Sequence, residues 1–225
     1  MLKRILNATI AGVAVIALAA PLLVVALLIK LTSPGPVFFR QHRVGKFGRQ
    51  FEILKFRTMT ADSSHQSEIT IGRDARITPI GSFLRKTKID ELPQLINVLK
   101  GDMNLVGPRP ELPEFVRKYS AAAREVVLSV EPGLTDFASI RYRDESQLLE
   151  GVDNPLEYYE RILIPRKLRY SRFYIRRAGI RLDIYVIWLT IRSLFGDAFG
   201  KAPRARPPQT LNSVKRSAPP LARSR

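Results

Sequence analysis

The chain contains no cysteine, which excludes disulfides, thiolate metal sites and a cysteine nucleophile. Its two histidines, His42 and His65, lie far apart in sequence, so a histidine-rich zinc centre is not expected. Acid is scarce: 20 Asp and Glu stand against 37 Lys and Arg, for a net charge of +17. Such an excess points to an anionic partner, whether phosphate, nucleic acid or anionic lipid. Two densely basic stretches have no acid at all. Residues 161–182 carry eight Lys and Arg interleaved with Tyr170, Phe173 and Tyr174, and residues 201–225 carry seven beside five prolines. The tail accounts for +7, so residues 1–200 keep +10 and the body is basic too. Any chemistry must therefore use Asp, Glu, Lys, Arg, Ser, Thr or Tyr.

Charge is also missing from residues 5–29. That apolar run exceeds the roughly 20 residues needed to cross a hydrocarbon core. Lys3 and Arg4 before it, with Ala17-Leu18-Ala19-Ala20 inside it, have the form of a signal peptide. Pro21 and the continuing run at 22–29 argue against cleavage there. A straight transmembrane helix kinked at Pro21 is one reading. The other is a re-entrant helix that bends at Pro21 and returns to the same face. Lys/Arg-rich flanks mark the cytoplasmic side, and here both flanks qualify: Lys3 and Arg4 on one side, Lys30, Arg40, Arg43 and Lys46 on the other. Either reading puts the following domain at a membrane surface.

Thr32-Ser33-Pro34-Gly35-Pro36 ends the helix. Residues 37–41 and 51–56 read as two strands joined by a glycine-containing loop at 43–49. Lys55 and Arg57 flank Phe56, so strand alternation sends both cations to one face. Residues 61–70 read as a polar loop, 82–86 as a short helix, 112–130 as one helix and 131–136 as a turn. Residues 137–142 read as a short strand, 144–150 as a short helix and 183–195 as a helix. The basic, aromatic stretch 161–182 suits a helix in a lipid headgroup layer. The expected architecture is α+β, predominantly helical, with a small β-hairpin, an N-terminal membrane helix and interfacial amphipathic helices. Three parts follow: residues 1–31 in the membrane, a domain at 32–199, and a basic, Pro-rich tail at 200–225 expected to be disordered.

The centre of the chain is Asp90-Glu91, two adjacent carboxylates before an apolar-periodic run. Leu92, Leu95, Ile96 and Leu99 form an i, i+3, i+4, i+7 stripe, Pro93 suits a first turn, and Gly101 suits a stop. The plain expectation is that Asp90 caps this helix, with the helix dipole favouring its ionised form. Gly107, Pro108 and Pro110 form a stiff frame around Arg109, which lowers the entropy lost on gripping an anion.

Several segments occur in the order and spacing of a known family: Lys55-Phe56-Arg57-Thr58-Met59, Phe83-Leu84-Arg85, Ile89-Asp90-Glu91-Leu92-Pro93-Gln94-Leu95, Asn97 through Met103, and Leu105-Val106-Gly107-Pro108-Arg109-Pro110. With the apolar start and Ser33-Pro34-Gly35-Pro36-Val37-Phe38-Phe39, they cover roughly residues 1–200. The chain resembles the bacterial sugar transferase family, the monotopic phosphoglycosyl transferases of glycan initiation. The resemblance implies transfer of a sugar 1-phosphate from a UDP-sugar to polyprenyl (undecaprenyl) phosphate, with release of UMP, as a first step of exopolysaccharide or other glycan assembly. By the same resemblance Asp90 is the nucleophile that forms a covalent phosphoglycosyl aspartate, and Glu91 binds Mg²⁺ or assists the incoming phosphate. Arg85 and Arg109 grip phosphates, and Lys55 and Arg57 add positive charge. The segment after Pro132-Gly133-Leu134-Thr135, where the family's commoner Gly-Trp-Ala-Gln is Asp136-Phe137-Ala138-Ser139 here, touches the nucleotide or sugar, which makes Arg143 a further binding candidate. Pro21 keeps the proline of the family's Ser-Pro helix break, with Ala20 in place of the serine, and favours the re-entrant reading at the cytoplasmic face of the bacterial plasma membrane. The implied partners are a UDP-sugar, polyprenyl phosphate and membrane lipid, without nucleic acid. The oligomeric state stays open, a homodimer being one alternative. The competing reading is a membrane-anchored basic module that binds anionic lipid or nucleic acid and needs no acid pair.

Overall fold

A computed structural model describes residues 2–60, 69–72 and 74–194. The tail from 201 onward and most of the expected 61–70 loop lie outside the described residues. The described architecture is mostly helical, with one small antiparallel hairpin.

The apolar run forms one helix, α1 (Leu2–Thr32), and Pro21 lies inside it without ending it. Pro21 lacks the N–H that would reach the carbonyl of Ala17, yet residues on both sides stay helical. Asn7, Ala11 and Ile29 are buried, and Ala14, Val15, Leu22, Val25 and Ala26 pack on the domain cores. This inward stripe keeps the helical period across Pro21. The outward stripe is apolar and open: Ile5, Val13, Ile16, Leu23, Leu27 and Leu31 are all exposed, Ile16 to 79%. By length and composition α1 is able to cross a membrane.

Strands β1 (Phe38–Val44) and β2 (Gln50–Phe56) pair from Phe38↔Phe56 to Val44↔Gln50. The turn is tighter than the sequence suggested, so Arg43 sits in a strand. Phe47 and Gly48 both take positive φ there, 55° and 79°. Helix α2 (Pro79–Thr87) starts at Thr78, whose hydroxyl accepts from Gly81 N. A 3-10 turn, Ile89–Gln94, then runs into α3 (Leu95–Lys100). The face of α3 turned inward is only in part the one the Leu/Ile spacing implies: Leu95 is buried in the core. Leu99 is exposed, whereas Asn97 and Val98 are buried. The reason is Asn97: its amide donates to Glu52 O at 2.7 Å and accepts from Leu54 N at 3.0 Å. These two bonds straddle β2 and rotate α3 onto it.

Strand β3 (Asn104–Val106) pairs in parallel with β4 (Gly133–Thr135), in a segment expected to be only a turn. The expected helix 112–130 is two, α4 (Pro113–Arg117) and α5 (Ala121–Val127), because Ser120 caps the second through Ala123 N. The expected strand 137–142 is instead helix α6 (Phe137–Arg141), started by Asp136, whose carboxylate accepts from Ser139 N at 2.7 Å. Helices α7 (Glu145–Glu150), α8 (Pro155–Tyr158), α9 (Ile164–Arg177) and α10 (Ile180–Leu194) complete the domain, with a π-helical turn at Tyr159–Leu163.

One core joins Ala11 of α1 to Ile53, Leu95, Val98, Leu105 and Val186. A second gathers Phe115, Leu149, Tyr158 and Leu163, and a third ties Ile29 to Phe56 and Leu84. The parallel strands meet backbone to backbone: a Cβ on Gly133 would lie 2.0 Å from Gly107 N. Gly133→Ala is therefore expected to destabilise the protein by about 2–3 kcal/mol through forced overlap. Gly48→Ala, which meets nothing within 4 Å and suffers only its φ of 79°, should cost about 1 kcal/mol. Denaturant unfolding of both variants in detergent checks the ranking.

Candidate active site

Lys88 takes a left-handed backbone, φ 60°, at the end of α2. That reversal starts the 3-10 turn carrying Asp90 and Glu91, and no side chain caps it. Asp90 is thus not the N-cap the sequence suggested. It is buried, 7% exposed, and its Oδ1 has no hydrogen-bond partner.

Glu91 is the opposite case. Lys55 Nζ lies 2.8 Å from its Oε1. Arg109 grips both oxygens, Nη2 to Oε1 at 2.5 Å and Nη1 to Oε2 at 3.1 Å. All three side chains are largely withdrawn from solvent. An ion pair this buried holds only with good geometry and further hydrogen bonds, and the Arg109 fork supplies both.

The two carboxylates titrate in opposite senses. Burial pushes the Asp90 carboxyl up, Lys55 opposes this, and the charge of Glu91 adds to it; the net shift is upward. Burial also pushes Glu91 up, but Arg109 and Lys55 outweigh it and hold Glu91 well below the usual glutamate range. The guanidinium of Arg109 is held more firmly protonated by Glu91. The helix dipole therefore does not control Asp90; removal from water does.

Each partner is brought in by a distinct element. Lys55 comes from β2, whose edge Asn97 grips on either side of Ile53. Arg109 comes from the segment after β3, pinned on both flanks. On one side Gly107 N donates to Thr135 O and Gly133 N to Pro108 O. On the other, Val44 N donates to Glu111 O, and Arg43 Nη1 donates to Pro110 O and lies 3.7 Å from Glu111 Oε2. Glu111 is buried, accepts from Tyr159 Oη at 2.7 Å, and faces Lys167, which also pairs with Glu145 at 2.6 Å. This second charged network was not visible in the sequence. Its members come from distant segments of the chain, Arg43 from β1, Glu111 from the arm after β3, Glu145 from α7 and Lys167 from α9.

An open cleft of about 2510 Å³ is lined by Lys55, Arg85, Asp90, Glu91 and Arg109. Arg85 donates to Thr58 Oγ1 at 2.8 Å and Thr70 Oγ1 at 3.2 Å, and is near enough for its charge to favour ionised Asp90. Arg57 and Arg143 reach the cleft wall but are engaged elsewhere. Strand β2 ends at Phe56, so alternation no longer directs Arg57, and its guanidinium donates to Ser33 O and Pro34 O, both at 2.7 Å. It fastens the exit of α1. Arg143 donates to Ser193 O and to Lys86 O, joining α10 to α2.

Among the described residues no group of three His, Cys, Asp or Glu is placed to hold a metal. Glu91 has both oxygens in ion pairs, so the vacant carboxylate acceptor is Asp90 Oδ1.

Fold and site define a mostly helical protein with one helix apolar enough to cross a membrane and a buried carboxylate beside a cluster of cations. The chain belongs to the bacterial sugar transferase family, whose model matches residues 1–197. It is 38% identical over 192 residues to a UDP-N-acetylgalactosamine-undecaprenyl-phosphate N-acetylgalactosaminephosphotransferase of Aeromonas hydrophila, covering 82% of this chain and 42% of that protein. It is 36% identical over 199 residues to a UDP-glucose:undecaprenyl-phosphate glucose-1-phosphate transferase of Xanthomonas campestris pv. campestris, covering 86% and 39%. A transferase with that same description from Caulobacter vibrioides is 40% identical over 197 residues, covering 85% of this chain and 69% of its own length. The chain spans about two fifths of the length of the first two relatives.

Removing Arg109 takes the fork from both Glu91 oxygens and leaves Oε2 without its donor, with Lys55 alone facing the charge, so Arg109→Met should cost about 3 kcal/mol. Arg109→Lys should recover less than half of that, since one ammonium cannot hold both oxygens. A pH series checks the cause. Glu91 is lowered on folding, so its contribution to stability is present above the unfolded value near 4.5 and is lost as pH falls through the folded value. In Arg109→Met this loss below pH 4.5 should be visibly smaller in denaturant unfolding.

Proposed function

We propose that the protein transfers a sugar 1-phosphate from a UDP-sugar to polyprenyl phosphate, releasing UMP, with Asp90 as the nucleophile. The observation that carries this reading is the pairing of an orphaned, buried Asp90 oxygen with a neighbouring carboxylate locked by Lys55 and Arg109. A protein that only binds anions has no use for a buried acceptor with nothing to accept. Relatives named for transfer from UDP-glucose and UDP-N-acetylgalactosamine to undecaprenyl phosphate support the same reaction class.

Asp90 Oδ1 attacks the β-phosphorus of the sugar nucleotide, and the phosphoanhydride bond to UMP breaks. An oxygen of polyprenyl phosphate then attacks that phosphorus, the bond to Asp90 breaks, and the carboxylate is regenerated. Acyl phosphates are reactive enough for the second step. Phosphoryl transfer relies on positioning and charge neutralisation, which suits Arg109, Lys55 and Arg85. A raised pKa leaves Asp90 less stable as an anion, hence more nucleophilic once ionised. Magnesium would enter with the diphosphate, and Glu91 Oε2, which accepts from Arg109 Nη1, keeps a further lone pair with which it would hold the ion, since Mg²⁺ keeps water and phosphate ligands and needs only one or two carboxylates. It would neutralise phosphate charge.

The membrane assignment rests on α1. Its open apolar stripe asks for lipid. Its two ends lie against the same domain: Arg4 on α3, and Ile29 and Ser33 on the hairpin side. A helix so fastened enters and leaves on one face, which the basic flanks assign to the cytoplasmic side of the plasma membrane. Products released there would start exopolysaccharide or other glycan assembly.

Membranes containing the wild type should release UMP from UDP-glucose or UDP-N-acetylgalactosamine in the presence of Mg²⁺ and undecaprenyl phosphate. Asp90→Asn should lower that rate by at least about 10³-fold; retention of rate would sink the covalent route. The rate should fall on acidification through a pKa above the ordinary aspartate range. In Glu91→Gln the residual activity should lose this limb at lower pH, because the charge that raises Asp90 is gone.

A further inference from the structure

The first turns of α1 carry Lys3, Arg4 and Asn7, the only polar or charged side chains among residues 2–7. Two of them reach the supports of the candidate site. The Arg4 guanidinium donates to Val98 O and, at 2.6 Å, to Leu99 O. These are carbonyls of the last turn of α3, where helical donors run out, and Val98 O also accepts from the capping Gly101 N at 3.2 Å. Gly101 leaves the space: a Cβ there would lie 3.1 Å from Arg4 Nη2. Arg4 therefore closes the far end of the helical run that begins at Asp90 and Glu91.

Asn7 does the same for the other arm. Strand β3 is hydrogen-bonded to β4 on one edge only. On the other edge Leu105 N donates to Asn7 Oδ1 at 3.0 Å, while Asn7 Nδ2 donates to Asn104 Oδ1 at 3.1 Å and to Lys3 O at 2.8 Å. Asn7 is buried and takes the place of a missing strand. Two residues beyond Leu105 the chain enters Gly107-Pro108-Arg109. One helical turn thus grips both supports whose spacing sets Glu91 against Arg109.

We propose that Arg4 and Asn7 are positioning residues for the active site: docking of the first turns of α1 sets the separation between the Asp90–Glu91 turn and the Arg109 arm. Seating of the membrane helix is then coupled directly to catalytic geometry. The inference rests on the transferase reading for its kinetic consequence, but its structural half stands apart from it.

The test uses full-length protein in lipid nanodiscs. The variants are Arg4→Gln, Arg4→Lys and Asn7→Leu, with Leu163→Ala as a control destabilised in the second core. Amide hydrogen exchange should accelerate in Arg4→Gln and Asn7→Leu selectively across residues 89–109, and not in Leu163→Ala. UMP release should lose at least about tenfold in kcat, as expected when reacting groups shift by a fraction of an ångström to 1 Å. The KM for UDP-sugar should stay within about threefold, since the seat is displaced rather than removed. Arg4→Lys, with one ammonium for two carbonyls, should fall between wild type and Arg4→Gln. Leu163→Ala should keep kcat at a temperature below its own unfolding. Exchange at 89–109 unchanged in Arg4→Gln and Asn7→Leu would overturn the proposal. So would a kcat loss in Leu163→Ala equal to theirs at equal loss of Tm. A wild type that releases no UMP from any UDP-sugar would instead overturn the transferase reading, and the exchange data would still decide the positioning claim.

Discussion

The structure depends on one buried carboxylate. Glu91 is held by Lys55 from β2 and by both terminal nitrogens of Arg109 from the segment after β3. A charge so placed is tolerable only because its partners arrive in correct geometry, and much of the fold serves to deliver them. Asn97 fixes β2 against α3, and the close contact of Gly107 with Gly133 fixes the start of the Arg109 arm. Arg43 and Glu111 fix its end. With Glu91 neutralised by two cations, the neighbouring Asp90 is left as an acceptor without a donor. Adjacent carboxylates thereby acquire opposite characters, one a firmly held anion and the other with its pKa raised.

How much of this was legible in the sequence varies by residue. The acid pair and Arg109 stood out because an ordered set of motifs surrounds them, and Lys55 followed from strand alternation. Arg57 did not follow, because alternation says which face a cation takes and nothing of the strand ending one residue earlier. The cap expected at Asp90 failed because Lys88 reverses the chain and the next turn tightens to 3-10. The face of α3 was foreseen only in part, because counting apolar residues gives no weight to Asn97, whose amide bridges two strand groups. The pairing of Gly133–Thr135 with β3 was hidden in three residues, too few for any periodic signal, and made possible by two glycines far apart in the chain. The Arg43–Glu111–Lys167 network was beyond reach, since charge compensation between distant segments leaves no local pattern.

The apolar helix α1 is packed into this arrangement along its length. Its inward stripe completes two of the three cores, and its polar first turns hold α3 and β3. Arg57, one residue past the strand that carries Lys55, closes its other end. An exposed apolar stripe and a domain-facing stripe share one helix, so under the proposed membrane assignment the bilayer and the cationic cleft meet at the same surface. That suits a reaction joining a water-soluble nucleotide sugar to a lipid phosphate.

The central claim is that Asp90 itself bonds to phosphorus. Intact-protein mass spectrometry after brief mixing with a UDP-sugar and Mg²⁺, with no polyprenyl phosphate, tests it most directly. The account predicts an added mass equal to one sugar phosphate, lost on later addition of undecaprenyl phosphate, mapped to Asp90 by peptide analysis, and absent in Asp90→Asn. Full UMP turnover with no adduct under any quench, or an adduct on another residue, would contradict it.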